Sequence, residues 1–95
     1  GILIADGFVT IKNMFTNELR FMFIEADLSN NTFDKVRKYN KLYLENMFVT
    51  KDWYTKTKIF PTILVITHRV KLVKDKVNVE NKAGLNFIIV DYPSF

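Results

Sequence analysis

The segment Leu19-Arg-Phe-Met-Phe-Ile-Glu25-Ala-Asp27 constrains the fold more than any other stretch of this chain. Apart from Arg20 it is apolar on both faces until it reaches Glu25, as expected for a strand covered on both sides in a mixed α/β core. Successive strand side chains alternate, so Glu25 and Asp27 project to one side while Ala26 points away. Charges are costly inside such a strand but can sit at its mouth. Asp6 ends a second apolar run, Ile2-Leu-Ile-Ala5. Acidic side chains converging from neighbouring strands form a hard, oxygen-rich site suited to a divalent cation.

The 95 residues suffice for one domain with one modest core, and nine phenylalanines are available to fill it. The net charge of +4 is concentrated between Lys35 and Lys76. That distribution suits an anionic partner, nucleic acid being the commonest, although a solvated basic surface has the same composition. The absence of cysteine excludes a disulfide framework and a thiolate zinc site, and fits a reducing cytoplasm. With one histidine, a His-based metal cluster cannot form within one chain. Three isolated glycines exclude a phosphate-cradling loop, and no Ser-His-Asp order or nucleophile elbow is visible. No apolar run is long enough to cross a bilayer, because Asp6, Arg20 and Arg69 interrupt or bound the candidates. The opening at Ile2-Leu-Ile, with neither leader nor initiator methionine, suggests a single domain, residues 1–95, cut from a longer protein.

The remaining pattern predicts a mixed fold. Ile2 to Ala5 reads as a short buried strand, Phe8 to Lys12 as a second, and Asn13 to Glu18 as a hairpin into the third. Ser29-Asn-Asn-Thr supplies capping side chains for a helix with Asp34 in its first turn. Phe33, Val36, Tyr39 or Asn40, Tyr43 and Met47 recur there at helical spacing. Val49 to Ile59 reads as a polar loop, and Phe60 to Thr67 as a buried strand that tolerates Pro61 at its start. Thr67 then caps a helix striped by Val70, Val73 and Val77, and Leu85 to Val90 is the last strand. The expected order is βββαβαβ, an α/β (α+β) mixed sheet with helical cover.

Several of these pieces, in this order, resemble the nuclease-like domain of plasmid replication-relaxation proteins, within the broader PD-(D/E)XK, or restriction-endonuclease-like, fold. Ala5-Asp6-Gly7 stands where that fold has Pro-Asp, and Phe23-Ile-Glu25-Ala-Asp27 where it has the second acid followed by lysine. Lys35-Val-Arg-Lys-Tyr39 matches the family's Lys-x-x-x-Tyr helix, and Phe60 to Thr67 with Arg69 its next strand and helix start. The resemblance implies a restriction-endonuclease-like core and DNA as partner. It also implies Mg²⁺ or Mn²⁺ held by Asp6, Glu25 and Asp27, and metal-dependent phosphodiester cleavage carried by Asp6, Glu25 and Lys35.

The departures are Ala5 in place of proline and Asp27 in place of lysine. The first touches backbone shape alone. The second removes an ammonium that orients the attacking water and offsets charge at the phosphate. Some members of the wider fold take that lysine from the following helix, where Lys35 and Lys38 are candidates. On this reasoning Asp27→Lys is expected to preserve or raise activity.

For nucleic-acid contact the candidates are Lys35, Arg37, Lys38 and Lys41 on the helix, and Lys51, Lys56 and Lys58 in the loop. The loop lysines interleave with Trp53 and Tyr54, which can stack bases or pack over the core edge. Glu45 beside Lys41 equally suits a plainly solvated helix face. Two readings stay open: a DNA-binding, nuclease-like domain of a plasmid or mobile-element protein, or an inert protein-interaction or homodimerisation domain on the same scaffold. Neither calls for a membrane or a small-molecule cofactor.

Overall fold

The computed structural model describes residues 3–46 and 48–92. β1 (Gly7–Lys12) and β2 (Leu19–Asp27) form an antiparallel hairpin. Its turn is built by Asn13, whose side-chain oxygen accepts from the Phe15 and Thr16 amides at 2.9 and 3.2 Å, and by Asn17 at φ 60°. Asn tolerates that left-handed conformation better than most residues. α1 (Lys35–Leu44) and α2 (Asp52–Thr57) follow, then β3 (Thr62–Thr67), α3 (Val70–Glu80) and β4 (Phe87–Asp91). The sheet order is β1-β2-β3-β4, with β3 parallel to β2 and β4 parallel to β3.

The two parallel connections advance in the same direction across the sheet. Right-handed crossovers therefore place their helices on the same face. α1 and α3 pack against one another there, joined by Arg37 Nε to Glu80 Oε2 at 2.9 Å. Asn40 strengthens the junction. Its amide donates to the Val36 carbonyl at 2.9 Å and to Asn81 Oδ1 at 3.0 Å, and its oxygen accepts from the Ala83 amide at 2.6 Å. Phe33, Val36 and Tyr39 meet Ile63, Val65, Val73 and Leu85 in the core. The β3 pattern, with Ile63, Val65 and Thr67 fully buried and the residues between them half-buried, shows one covered face.

Among the described residues the other face carries no helix. Directly paired residues share a face, so the register collects Val9, Ile11, Met22, Ile24, Leu64, Ile66, Ile88 and Val90 on the open side. Val9, Ile11, Ile88 and Val90 are exposed. The expectation of cover on both sides of Leu19–Ala26 is thus half met, because Phe21 and Phe23 face the helices while Met22 and Ile24 face outward. Apolar residues on both faces of a strand are what such an open sheet shares with a fully enclosed one.

The boundaries differ from the sequence expectation: β3 starts at Thr62 rather than Phe60, β4 runs Phe87–Asp91 rather than Leu85–Val90, and three further differences lie earlier in the chain. Leu3 to Ala5 is not strand, so the described order is ββααβαβ rather than βββαβαβ; Gly1 and Ile2 lie outside the described residues. Leu3 instead packs beside the core. The polar loop contains α2, whose first turn holds Asp52 and whose C-cap, Lys58, takes φ 58°. Six residues are too few to display helical periodicity in sequence. α1 ends at Leu44, and Met47 lies outside the described residues.

Candidate functional site

At the mouth of β2 the hairpin, α1 and the N-terminal segment converge. Gly7 pairs with Ile24 so closely that an added Cβ would lie 3.2 Å from that residue's Cβ. The tight approach brings Asp6 alongside the end of β2, where its Oδ2 accepts from the Ala26 amide at 2.8 Å. Glu25 projects toward the helices and is 1% exposed. Lys35 and Tyr39, one helical turn apart on the same face of α1, both reach it. Tyr39 donates its hydroxyl to Glu25 Oε2 at 3.2 Å. Lys35 Nζ lies 3.3 Å from Glu25 Oε1 and donates to the Ile4 carbonyl at 2.8 Å.

Glu25 Oε1 is buried, and the Lys35 ammonium at 3.3 Å partners it by charge rather than through a well-aligned hydrogen bond. Burial pushes the Glu25 carboxyl above its ordinary range; Lys35 and the Tyr39 hydroxyl oppose the shift, and the nearby charge of Asp6 adds to it. Burial, followed by the charge of Glu25 and the hydrogen bond to it, raises the Tyr39 phenol too. The Lys35 ammonium is the cation that lowers the cost of ionising this buried carboxylate.

Asp27 takes a different part. Its side chain is 6% exposed and accepts from Thr67 Oγ1 at 2.7 Å, Arg69 Nε at 3.1 Å and Arg69 Nη2 at 2.6 Å. Burial alone would raise its pKa, but the hydrogen bonds from Arg69 and Thr67 and the guanidinium charge outweigh it and hold the carboxyl low. Arg69 also donates to the Asn31 carbonyl at 2.8 Å. Asp27 therefore ties β2 to the end of β3, the entry to α3 and the loop before α1. Expected as a third metal ligand, it is instead engaged by a guanidinium and a hydroxyl.

Among the described residues no three His, Asp or Glu side chains form a metal-ligating group. The carboxylates left for Mg²⁺ or Mn²⁺ are Asp6, which accepts from the Ala26 amide, and Glu25, which faces Tyr39 and Lys35.

The seven basic candidates do not form one surface. Lys35 belongs to the acidic site, and Arg37 braces α1 to α3 through Glu80. Lys38 and Lys41 pair with Asp34 at 3.3 Å and Glu45 at 3.9 Å. Together with Lys51 they line a groove of about 630 Å³ whose other walls include Ala5, Phe8, Phe23 and Trp53. Lys56 lies on the far side of Phe8 and Trp53, while Lys58 sits 5.4 Å from the Tyr54 ring. A larger groove, about 790 Å³, runs along α3 past His68, Leu72 and Val79 and contains neither Asp6 nor Glu25.

Sequence reasoning missed the Ile4 carbonyl and the Thr67–Arg69 clamp. The first is a backbone atom with no sequence signal; the second links residues 40 and 42 positions from Asp27. Tyr39 was legible only as a core residue and as part of the Lys-x-x-x-Tyr pattern.

No family model, curated protein or solved structure matches this chain. Among the described residues no helix is long and apolar enough to cross a membrane.

Proposed function

We propose that this chain is a DNA-binding, nuclease-like domain of the plasmid replication-relaxation type, whose site lysine comes from the helix that follows the acidic strand. Asp6 and Glu25 would hold one Mg²⁺ or Mn²⁺. When bound, that cation polarises a phosphodiester and makes a bound water more acidic. The observation that carries the reading is Lys35 Nζ at 3.3 Å from Glu25 Oε1. It brings an ammonium from α1 to the place left without one by Asp27, and the Ile4 carbonyl keeps it pointed there. In this arrangement Lys35 offsets negative charge growing on the phosphate. Tyr39 orients Glu25, and Asp27 fixes the end of the strand that carries it.

The test is cleavage of single- and double-stranded DNA by the purified chain with Mg²⁺ or Mn²⁺. Metal-dependent products that vanish in Glu25→Ala and Lys35→Ala are expected. Intact DNA under every condition, or cleavage that persists in Glu25→Ala, overturns the reading.

One observation favours an inert interaction or homodimerisation domain instead: the apolar residues on the uncovered sheet face, of which Val9, Ile11, Ile88 and Val90 are exposed. Contiguous exposed apolar surface of this kind marks a contact site. Under that reading sedimentation shows a dimer that dissociates in Ile24→Lys, and DNA survives.

A further inference from the structure

The groove of about 630 Å³ between α1 and the start of α2 has a composition that the acidic site does not require. Phe8, Phe23, Phe48 and Trp53 supply apolar surface, and Lys38, Lys41 and Lys51 supply the charge. The rings form a continuous set: Trp53 lies 5.6 Å from Phe23, 6.1 Å from Phe48 and 6.4 Å from Phe8, centroid to centroid. Phe8 is exposed although one face stacks on Phe21 at 5.6 Å, and Trp53 is half-buried, so Phe8 is the more open ring. Glu45 is the acid on the same wall, paired with Lys41 at 3.9 Å. Lys38 pairs with Asp34 at 3.3 Å, so the three lysines outnumber their two acids by one charge.

The groove also leads to the acidic site. Ala5 lines it and is the neighbour of Asp6; Lys38 stands one helical turn beyond Lys35. Beyond Trp53 the same character continues with Lys56 and Phe21.

We infer that this groove binds single-stranded nucleic acid, with an unpaired base against Phe8 and Trp53 and flanking phosphates at Lys38, Lys41 and Lys51. The charge calls for an anion, and the aromatic wall calls for a flat, exposed π-face. A duplex meets the first demand only, because its bases are stacked inward and present phosphates alone. The inference deepens the nuclease-like reading by naming its substrate as an unpaired strand, and rests on that reading only for what happens at Asp6 and Glu25.

Trp53 is the single tryptophan and lines the groove, so its fluorescence reports a ligand seated on that wall. The intact chain is titrated in chelator, without divalent metal, with an oligothymidylate of about 12 nucleotides, within the span of known single-strand sites, and with a duplex of equal length. Quenching by the single strand, at an affinity at least about ten-fold above the duplex, is expected. Lys38→Gln with Lys41→Gln should weaken binding and flatten its dependence on log salt by about 1.4, or ~0.7 for each phosphate that is no longer neutralised. Because Trp53 also packs on Phe48 and Phe60, Phe8→Ala is the companion variant, read by anisotropy of labelled oligonucleotide; its affinity should fall about five- to ten-fold.

Equal or tighter binding of the duplex overturns the inference. So does full affinity in Phe8→Ala, which leaves a purely electrostatic surface. Failure to cleave DNA when metal is added counts against the acidic site and leaves this binding result standing. Metal-dependent duplex cleavage without any Trp53 response spares the acidic site and refutes the groove.

Discussion

Replacing Asp27 by lysine restores the charge that the restriction-endonuclease-like pattern places two residues after its acid, yet the structure predicts damage. The Asp27 side chain is 6% exposed and accepts three hydrogen bonds, two of them from the Arg69 guanidinium. Lysine at this position can accept none of them, leaves Thr67 Oγ1 without its acceptor and sets an ammonium against Arg69. Arg69 is partly exposed, so the loss is that of hydrogen bonds to a charged group, about 1.5–3 kcal/mol, rather than that of a fully buried pair. Whole-domain stability is only about 5–15 kcal/mol. A loss of about 2 kcal/mol lowers the Tm of a domain this size by at least ~8 °C.

Thermal denaturation followed by circular dichroism, with urea titration at about 25 °C as a check, measures the loss. Asp27→Asn separates charge from shape. Because the folded-state pKa of Asp27 lies below its ordinary value of 3.8, its stabilisation is present above that value and is lost as pH falls through the folded one. The stability gap between the unaltered chain and Asp27→Asn should therefore close on acidification below 3.8. An Asp27→Lys protein that melts within a degree or two of the unaltered chain, with metal-dependent cleavage preserved or raised, would refute the assignment of Asp27 as a tether.

Glu25 has its pKa raised in the fold, so without metal the chain should lose stability as pH rises from 4.5 through the folded value; Glu25→Gln should abolish that slope in pH-dependent urea melts. Mn²⁺ at about one hundred times its Kd should stabilise the unaltered chain by about 2.7 kcal/mol in a thermal-shift assay and Glu25→Gln not at all. Asn40→Ala removes a buried amide that joins α1 to the turn before β4, leaving the Ala83 amide unpaired, and should cost about 1–3 kcal/mol by urea unfolding. Ile63→Ala, at a fully buried site in β3, should cost about 2–5 kcal/mol by the same measurement, whereas Phe15→Ser, 99% exposed at the hairpin tip, should change stability by less than about 0.5 kcal/mol.

Local patterning by itself determined where most elements lie. Alternation and turn residues marked the β1–β2 hairpin, helical spacing marked α1 and α3, and the apolar runs marked β3 and β4. Period two also put Glu25 and Asp27 on one side, and helical periodicity put Lys35 and Tyr39 on one face of α1, because these are properties of a single segment's geometry. Tertiary structure decided what those side chains meet. It turned Glu25 toward Lys35 and Tyr39, brought Asp6 to the end of β2, and set Asp27 against Arg69 and Thr67. It also left Met22 and Ile24 on an open face, which their hydrophobicity alone could not distinguish from a covered one. Those outcomes depend on inter-strand register and on the side of the sheet to which each crossover returns, and both are set by contacts between residues far apart in the chain.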